Sequence, residues 1–579
     1  MATQAAVNPD LPGSWLIPGI YFKLNLSGSG AGLNTVSKRL LLWGYRLSSG
    51  SQPPDSPVQI TQQADVNTYF GQGSDIARLY AASISQVGGG VCDVYCMGIN
   101  EPSSGTAATH LITFAGPATA AGSVDVWICG YKTSVGVANG DSASTVGTNV
   151  AAAIYLLKDI PVTASGTSTV TLTYRHKGVI GNDLPVIVNI NNATGITASP
   201  GTIAFSGTAS GAGTTSISIG GTTISATISN SDSASVIASA LNTAINAGAY
   251  PVTASVSSST VTLFYAPDRA VHRITGSITA AITTTITPAV GTAGAGTPTL
   301  TTALTNAAAL TAFPFWCSAF NDTSSLGTLS THIETYADGL NQKGQRLFYC
   351  STEALATAGA IPVGTTPLLT ATPRYRALWE VDSPQQAYEL AGRAAAEATI
   401  TDYPPRNYDG VALKTRGTVP LLHPHKVVRS SPSDQNAALY SYFMTPIVVD
   451  ESTGTLRILR GRTTSNASDQ RLWDWGCIDT LDYYRYDLNA FLYDRFKQKS
   501  VKLTGTPKTT NTITPQSIID AVYERAKTWD DNDLFDDIDS LKNSIVVNAD
   551  PTVSGRFDIA VPGRPPVPFH QGAGNINLT

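Results

Sequence analysis

Lys38-Arg39-Leu40-Leu41-Leu42-Trp43-Gly44-Tyr45 is the stretch on which the fold turns. An unbroken apolar run closed by a Gly turn reads as a buried strand. Outward from it, strands and helices alternate. Asp65-Val66-Asn67-Thr68-Tyr69-Phe70-Gly71 reads as a short helix closed by Gly71. Residues 75–85 place Ile76, Leu79, Tyr80 and Ser83 or Ile84 on one helical face, and residues 91–99 read as a strand. The pattern resumes with a strand at 313–320, a helix at 326–340, a strand at 345–350 and an Ala-rich helix at 383–399. Pro384 suits the first position of that last helix. This alternation predicts an α/β domain in two parts, 35–117 and 299–402.

The intervening stretch repeats itself. Asp141-Ser142-Ala143-Ser144 returns as Asp232-Ser233-Ala234-Ser235, and Pro161-Val162-Thr163-Ala164-Ser165 as Pro251-Val252-Thr253-Ala254-Ser255. Val170-Thr171-Leu172-Thr173-Tyr174 returns as Val261-Thr262-Leu263-Phe264-Tyr265. The period, roughly 90 residues, is longer than that of solenoid repeats. Each copy reads as strand, short helix (150–157 and 234–245) and hairpin, with Asp141 and Asp232 as helix N-caps. Two β-rich domains, 118–200 and 201–298, are therefore expected as a duplicated insertion in the α/β core.

Beyond Tyr403-Pro404-Pro405 charged and aromatic residues become common. A long helical run at 468–498 carries Trp473, Trp475, Leu481, Tyr484, Leu488, Leu492 and Phe496. A second helix should start at N-cap Thr514 with Pro515 first, and pass through Ile518, Ile519, Val522 and Ala526 to Trp529. Residues 530–540 are acidic, and 553–561 alternate as a strand. Together, 403–561 read as an α+β C-terminal domain. The chain ends are isolated strands: Ile20, Phe22, Leu24 and Leu26 alternate with polar residues, as do Ile576 and Leu578 after a Pro-rich stretch. A lone strand must find a sheet, in its own subunit or another. Residues 1–26 and 562–579 are therefore expected to be strand-exchanging arms that pair with neighbours by β-augmentation. The fold class is α+β multidomain, with an α/β core.

Length 579 allows several domains, and the net charge of −5 lacks the basic footprint of a nucleic-acid binder. Only 13% of residues are charged, and Gly, Ser, Thr and Ala take their place. The six cysteines form no disulfide framework, and buried thiols in a reducing cytoplasm are expected. No leader-like N-terminus and no long apolar run is visible, so neither export nor membrane insertion is expected.

Candidate chemistry is sparse. Gly339-Leu340-Asn341-Gln342-Lys343-Gly344 approaches a phosphate loop, but Gln345 and Arg346 stand where Lys and Ser/Thr are required. Asp530-Asp531-Asn532-Asp533 hints at a calcium loop, yet Leu534 and Phe535 occupy the positions for an oxygen ligand and a Gly. His423-Pro424-His425 has no nearby third ligand. Cys92 and Cys96 have no second pair. No nucleophile elbow is present. The expectation is a non-enzyme with no catalytic, cofactor or metal residues.

The chain resembles contractile-tail sheath proteins of bacteriophages, in particular the Mu-like group. The resemblance rests on Pro18-Gly19-Ile20-Tyr21, Leu40-Leu41-Leu42-Trp43-Gly44, Phe70-Gly71-Gln72-Gly73-Ser74 and Phe320-Asn321-Asp322. It continues with Asp482-Tyr483-Tyr484-Arg485-Tyr486-Asp487-Leu488 and Thr514-Pro515-Gln516-Ser517-Ile518-Ile519. It implies a virion subunit, assembled in the host cytoplasm, whose partners are other copies in stacked hexameric rings, the inner tail tube, the baseplate and the tail terminator. It implies contraction that drives the tube through the host envelope without nucleotide. The tube contact is expected on the helix 515–529, at Glu524, Arg525 and Lys527, with the inserts outside. A sheath from a bacterial injection system, or a β-rich virion adhesin or decoration protein, would share many of these features.

Overall fold

Strand Arg39–Tyr45 lies inside a nine-stranded sheet, between Asp93–Ile99 and Phe315–Ser318. Leu40, Leu41, Leu42 and Trp43 are all fully buried, which explains the unbroken apolar run: both faces of the strand are covered. In this computed structural model the described residues are 33, 38–278, 285–310, 313–337, 342–364, 369–400, 406–414, 430–450, 453, 455–549 and 557–570. The arm residues Ile20, Phe22, Leu24, Leu26, Ile576 and Leu578 lie outside them, as do Gly339, His423 and His425. The chain divides into two units, one of Val36–Asp482 with Pro565–Thr579, the other of Met1–Thr35 with Tyr483–Arg564.

The sheet of the first unit runs Pro57–Ile60, Asp93–Ile99, Arg39–Tyr45, Phe315–Ser318, Arg346–Ser351, Tyr375–Trp379, Thr445–Asp450, Thr455–Ile458, Ala412–Leu413. Pairings from Asp93–Ile99 through Thr445–Asp450 are parallel, and the outer strands are antiparallel. The sheet therefore extends past residue 402, where a domain boundary was expected. Composition changes there, but the apolar strands 445–458 continue the same ladder. The C-terminal unit begins instead at Tyr483, inside the helix Trp475–Phe496.

Helices Asp75–Val87 and Ala387–Ala398 pack together on this sheet. Gly392 permits the close approach, since a Cβ there would lie 2.6 Å from Leu79 Cδ1. Every residue of Ala387–Ala398 is buried, so its charged groups need internal partners. Glu389 pairs with Arg78, and Glu397 accepts from Gln86 at 2.6 Å. Pro384 does not open this helix: Gln386 is the N-cap, and the preceding residues form a turn in which Ser383 Oγ accepts from Gln385 N.

The interposed region forms two sets of sheets with one topology. In the first, Tyr131–Val137, Gly122–Ile128 and Val186–Asn191 make one sheet; Thr197–Ser199, Ala107–Ala115, Thr169–Lys177 and Val162–Gly166 make the other. In the second, Thr222–Ile228, Gly213–Ile219 and Ile274–Ile278 correspond to the former; Thr285–Ala289, Gly201–Ser206, Thr260–Tyr265 and Val252–Ser257 correspond to the latter. Helices Ala143–Tyr155 and Ala234–Ala247 are equivalent. The likeness extends to single hydrogen bonds. Ala138 N donates to Asp141 Oδ2 at 2.7 Å, and Ser229 N to Asp232 Oδ2 at 2.6 Å. Those two aspartates brace the turn before each helix and are not its N-caps, which are Ser142 and Ser233. The first copy starts at Ala107 rather than 118, because strand Ala107–Ala115 is central to its larger sheet. It shares the hydrophobic core of the nine-stranded sheet, whereas the second has a core of its own around Ile203, Ile217, Leu241 and Leu263.

Candidate functional site

In the C-terminal unit, helix Pro515–Asp530 starts as its sequence dictates. Thr514 Oγ1 accepts from Ser517 N at 3.2 Å, Ser517 Oγ accepts from Thr514 N at 3.2 Å, and Pro515 takes the first turn. Its inward face is Ile518, Ala521, Val522, Arg525, Ala526 and Trp529. Ile518 and Val522 pack with Ile545, Val547, Leu488 and Leu492. Arg525 belongs to this buried face. Its guanidinium forms an ion pair with Asp487 of helix Trp475–Phe496, and Trp529 Nε1 donates to the same carboxylate at 2.7 Å. Arg525 is therefore not a surface contact, contrary to the sequence expectation; burying its long apolar stem and satisfying its charge internally wins over solvation.

Glu524 and Lys527 are the reachable members of the expected set. Glu524 pairs with Arg495 at 2.7 Å. Lys527 Nζ lies 3.1 Å from both Asp530 and Asp539, and these carboxylates raise its pKa. The outward stripe of the helix is Gln516, Asp520 and Glu524, so its character is acidic. Lys527 holds Asp530 and Asp539, and Arg564 reaches Asp536 at 3.0 Å. Leu534 and Phe535 are buried, as an apolar turn demands. Among the described residues no three His, Cys, Asp or Glu side chains converge as a metal site.

Val546–Ala549 pairs antiparallel with Phe557–Ala560, in register Val546↔Ala560 through Ala549↔Phe557. This two-stranded ribbon lays Val547 on the helix core while Val546 and Ile559 remain exposed. Among the described residues it has no third strand. The sequence reading found the strand at 553–561 but missed its partner; the signal was the short run Ile545-Val546-Val547.

Parallel α/β sheets bind ligands at the carboxyl ends of their strands. Here the inserts cover that edge. Gly178 lies against Tyr45, where a Cβ would come within 2.8 Å of the hydroxyl. Asn321 Nδ2 donates to Asp183 Oδ2 at 3.2 Å, Ala354 N to Gly220 O at 2.8 Å, and Arg269 faces Asp382 at 3.7 Å. Burial raises the Asp183 carboxyl, and burial with Asp183 nearby pushes Glu353 up to about 7. The near-phosphate loop ends equally closed: the Asp482 carboxylate fills the space beside Gly344, where it would repel an anion. All six thiols are unpaired; five are buried and Cys477 is half-buried.

Residues 565–570 do not extend away as an arm. They lie in the first unit, against Arg406, Asn407 and the start of helix Trp475–Phe496.

No family model matches the chain. It is similar to the Mu-like prophage FluMu tail sheath protein of Haemophilus influenzae, with 28% identity over 181 residues, 31% of this chain. The match spans 37% of that relative's length. Among solved structures, the sheath tail protein Lin1278 from Listeria innocua aligns over 92% of both chains with 12% identity and a TM-score of 0.42.

Proposed function

We propose that this protein is the sheath subunit of a contractile phage tail, a structural virion protein rather than an enzyme. The observation that carries the reading is the similarity to the Mu-like prophage tail sheath protein. In this reading the arms, through Ile20, Phe22, Leu24 and Leu26 and through Ile576 and Leu578, add strands to the ribbon of neighbouring copies. Main-chain hydrogen bonds hold an added strand without requiring a particular side chain, and so tolerate motion of the bodies they join. Copies stack in hexameric rings around an inner tail tube, between baseplate and tail terminator. Contraction exchanges weaker contacts for more extensive ones and drives the tube forward. The two β-rich copies are a duplicated insertion and face outward. The closed carboxyl edge of the large sheet fits a protein whose α/β domain serves as a body to be moved. Among the described residues no helix is long and apolar enough to cross a membrane.

The acidic stripe Gln516, Asp520 and Glu524 defines the tube-facing contact, and its partner surface on the tube carries positive charge. The test is to express the chain alone and view it by negative-stain electron microscopy, then repeat with residues 1–24 removed or with the chain ended before Gly572. Hollow striated tubes from the full chain and discrete particles from both truncations are expected. Discrete particles from the full chain, even with tail tube added, would overturn the sheath reading. Tubes from the truncated chains would overturn the arm mechanism alone.

A further inference from the structure

Between the two β-rich copies lies a cavity of about 260 Å³. Thr109, His110 and Asn182 line it from the first copy, Arg273 and Thr275 from the second, and Thr292 from the segment that returns from the second. Its walls are tied together. Thr292 N donates to Thr109 Oγ1 at 2.7 Å, and Thr109 N to Thr292 O at 2.9 Å. Asn182 Nδ2 donates to Gly294 O at 3.1 Å, and Asn182 Oδ1 accepts from Gly294 N at 2.8 Å. Walls held in this way give a cavity formed before any ligand arrives.

The lining is rich in donors. Arg273 brings a guanidinium that forms no hydrogen bond or ion pair among the described residues. Asp183 and Glu353 act on it only through their charge, and burial raises both carboxyls, which lessens that pull. The Thr109 hydroxyl accepts from Thr292 N and keeps its proton to donate. The hydroxyls of Thr275 and Thr292 have no partner among the described residues. His110 supplies the opposite function. Its Nε2 stands 3.0 Å from Gly181 O, a carbonyl that can only accept, so Nε2 carries the proton and Nδ1 is an acceptor. Burial lowers the pKa of His110 to about 4, which leaves Arg273 as the one cation among the described lining residues.

A guanidinium grips carboxylate or phosphate oxygens with two parallel bonds. Threonine hydroxyls and an imidazole acceptor suit ligand hydroxyls. Among the described residues no Phe, Tyr or Trp lines the cavity, which disfavours a stacked nucleobase. The volume lies below the roughly 300–1,000 Å³ of sites for drug-sized molecules, so the ligand is small. We propose that this cavity binds a small hydroxylated oxyanion, a sugar acid or a sugar phosphate, with Arg273 gripping its anionic group. The site lies within the insertion and does not depend on the sheath reading.

Equilibrium dialysis of the full chain against labelled glucuronate, glucose 6-phosphate, glucose and inorganic phosphate tests this. One saturable site per chain, of millimolar affinity or tighter, is expected for at least one charged sugar, and the tighter of the two identifies the anion. Glucose should bind roughly tenfold more weakly or worse, since it lacks the charge that Arg273 meets. Arg273→Gln should weaken binding of the charged sugar by a similar factor without affecting glucose. Arg273→Lys keeps the charge but not the fork and should fall between. Unchanged circular dichroism shows that both variants fold. Independently of any variant, bound sugar should protect Arg273 from phenylglyoxal, as read by peptide mapping. No saturable binding of either charged sugar would overturn the proposal, as would binding indifferent to Arg273→Gln. Inorganic phosphate bound as tightly as the charged sugars would overturn the recognition of hydroxyls.

Discussion

Arg525 and Asp487 form an ion pair wholly removed from solvent, with side chains 1% and 0% exposed. The two residues come from different helices of the C-terminal unit, and Trp529 Nε1 completes the carboxylate's coordination. Such a pair is costly to break from one side, because the survivor remains buried and charged. Arg525→Ala or Asp487→Ala should each destabilise this unit by about 3–5 kcal/mol. The joint replacement Arg525→Met with Asp487→Leu should cost much less. Hydrogen exchange over helix Pro515–Asp530 measures both, and equal losses for single and joint replacements would contradict the argument.

The outward stripe gives a separate test of assembly. Asp520→Lys with Glu524→Lys should weaken polymerisation templated on tail tube several-fold while leaving tube-free polymerisation nearly unchanged. Sedimentation with and without tube distinguishes the two. Equal effects would remove this helix face from the tube contact.

Asp75 sits fully buried, accepting hydrogen bonds from Tyr174 at 2.6 Å and Tyr388 at 3.2 Å, and burial pushes its pKa up to about 7. Its folded value lies above the unfolded one, near 3.9. The protonated form therefore contributes stability that is complete below about pH 4 and lost as pH rises through about 7. His110 and His176 act in the opposite sense: burial lowers them to about 4 and about 3, so their contribution is present above about pH 6.5 and lost as pH falls towards those values. Comparison with Asp75→Asn isolates the first effect. Between pH 5 and 8 the urea midpoint of the parent should fall relative to that of the variant; parallel midpoints would show that Asp75 is not protonated in the native state.

The two inserts should respond differently to deletion. The first shares the main core and supplies Tyr174 to Asp75, so its removal should abolish soluble expression. The second has its own core, and its flanks return to one strand: Ser199 pairs with Thr113, and Thr292 N donates to Thr109. Four residue steps along the strand separate those anchors, about 14 Å. Replacing residues 201–290 with a short Gly/Ser linker should leave a folded chain with nearly unchanged circular dichroism of the remainder. Aggregation of this variant alone would place the second copy in the common core.

Much of this architecture was legible in local pattern. The apolar run at Leu40, the box at Thr514 and Ser517, and the repeated Asp-Ser-Ala-Ser all act within a few residues, where propensity and capping dominate. Arg525 misled because its charge outweighed its spacing: three residues past Val522 and four before Trp529, it sits on the apolar stripe. Its partner Asp487 lies in another helix, and single-chain periodicity carries no information about such a match. The boundary at 402 failed for a related reason. Composition shifts there, but sheet membership is decided by pairing of Thr445 with Leu378 and of Ile447 with Ile458, which are remote from the shift.

The docked segment 565–570 also acts as a ruler. With His570 pinned, nine residues remain to Thr579. A fully extended chain spans about 3.3–3.6 Å per residue, so the leash from that peg is about 30 Å at most. In the proposed assembly, the acceptor for Ile576 and Leu578 on a neighbouring copy lies inside that radius. A rearrangement that carries neighbours farther apart must pull out the strand or unpeg the histidine. In the proposed assembly, the docking of this segment thus sets how far two copies can travel before their connection changes.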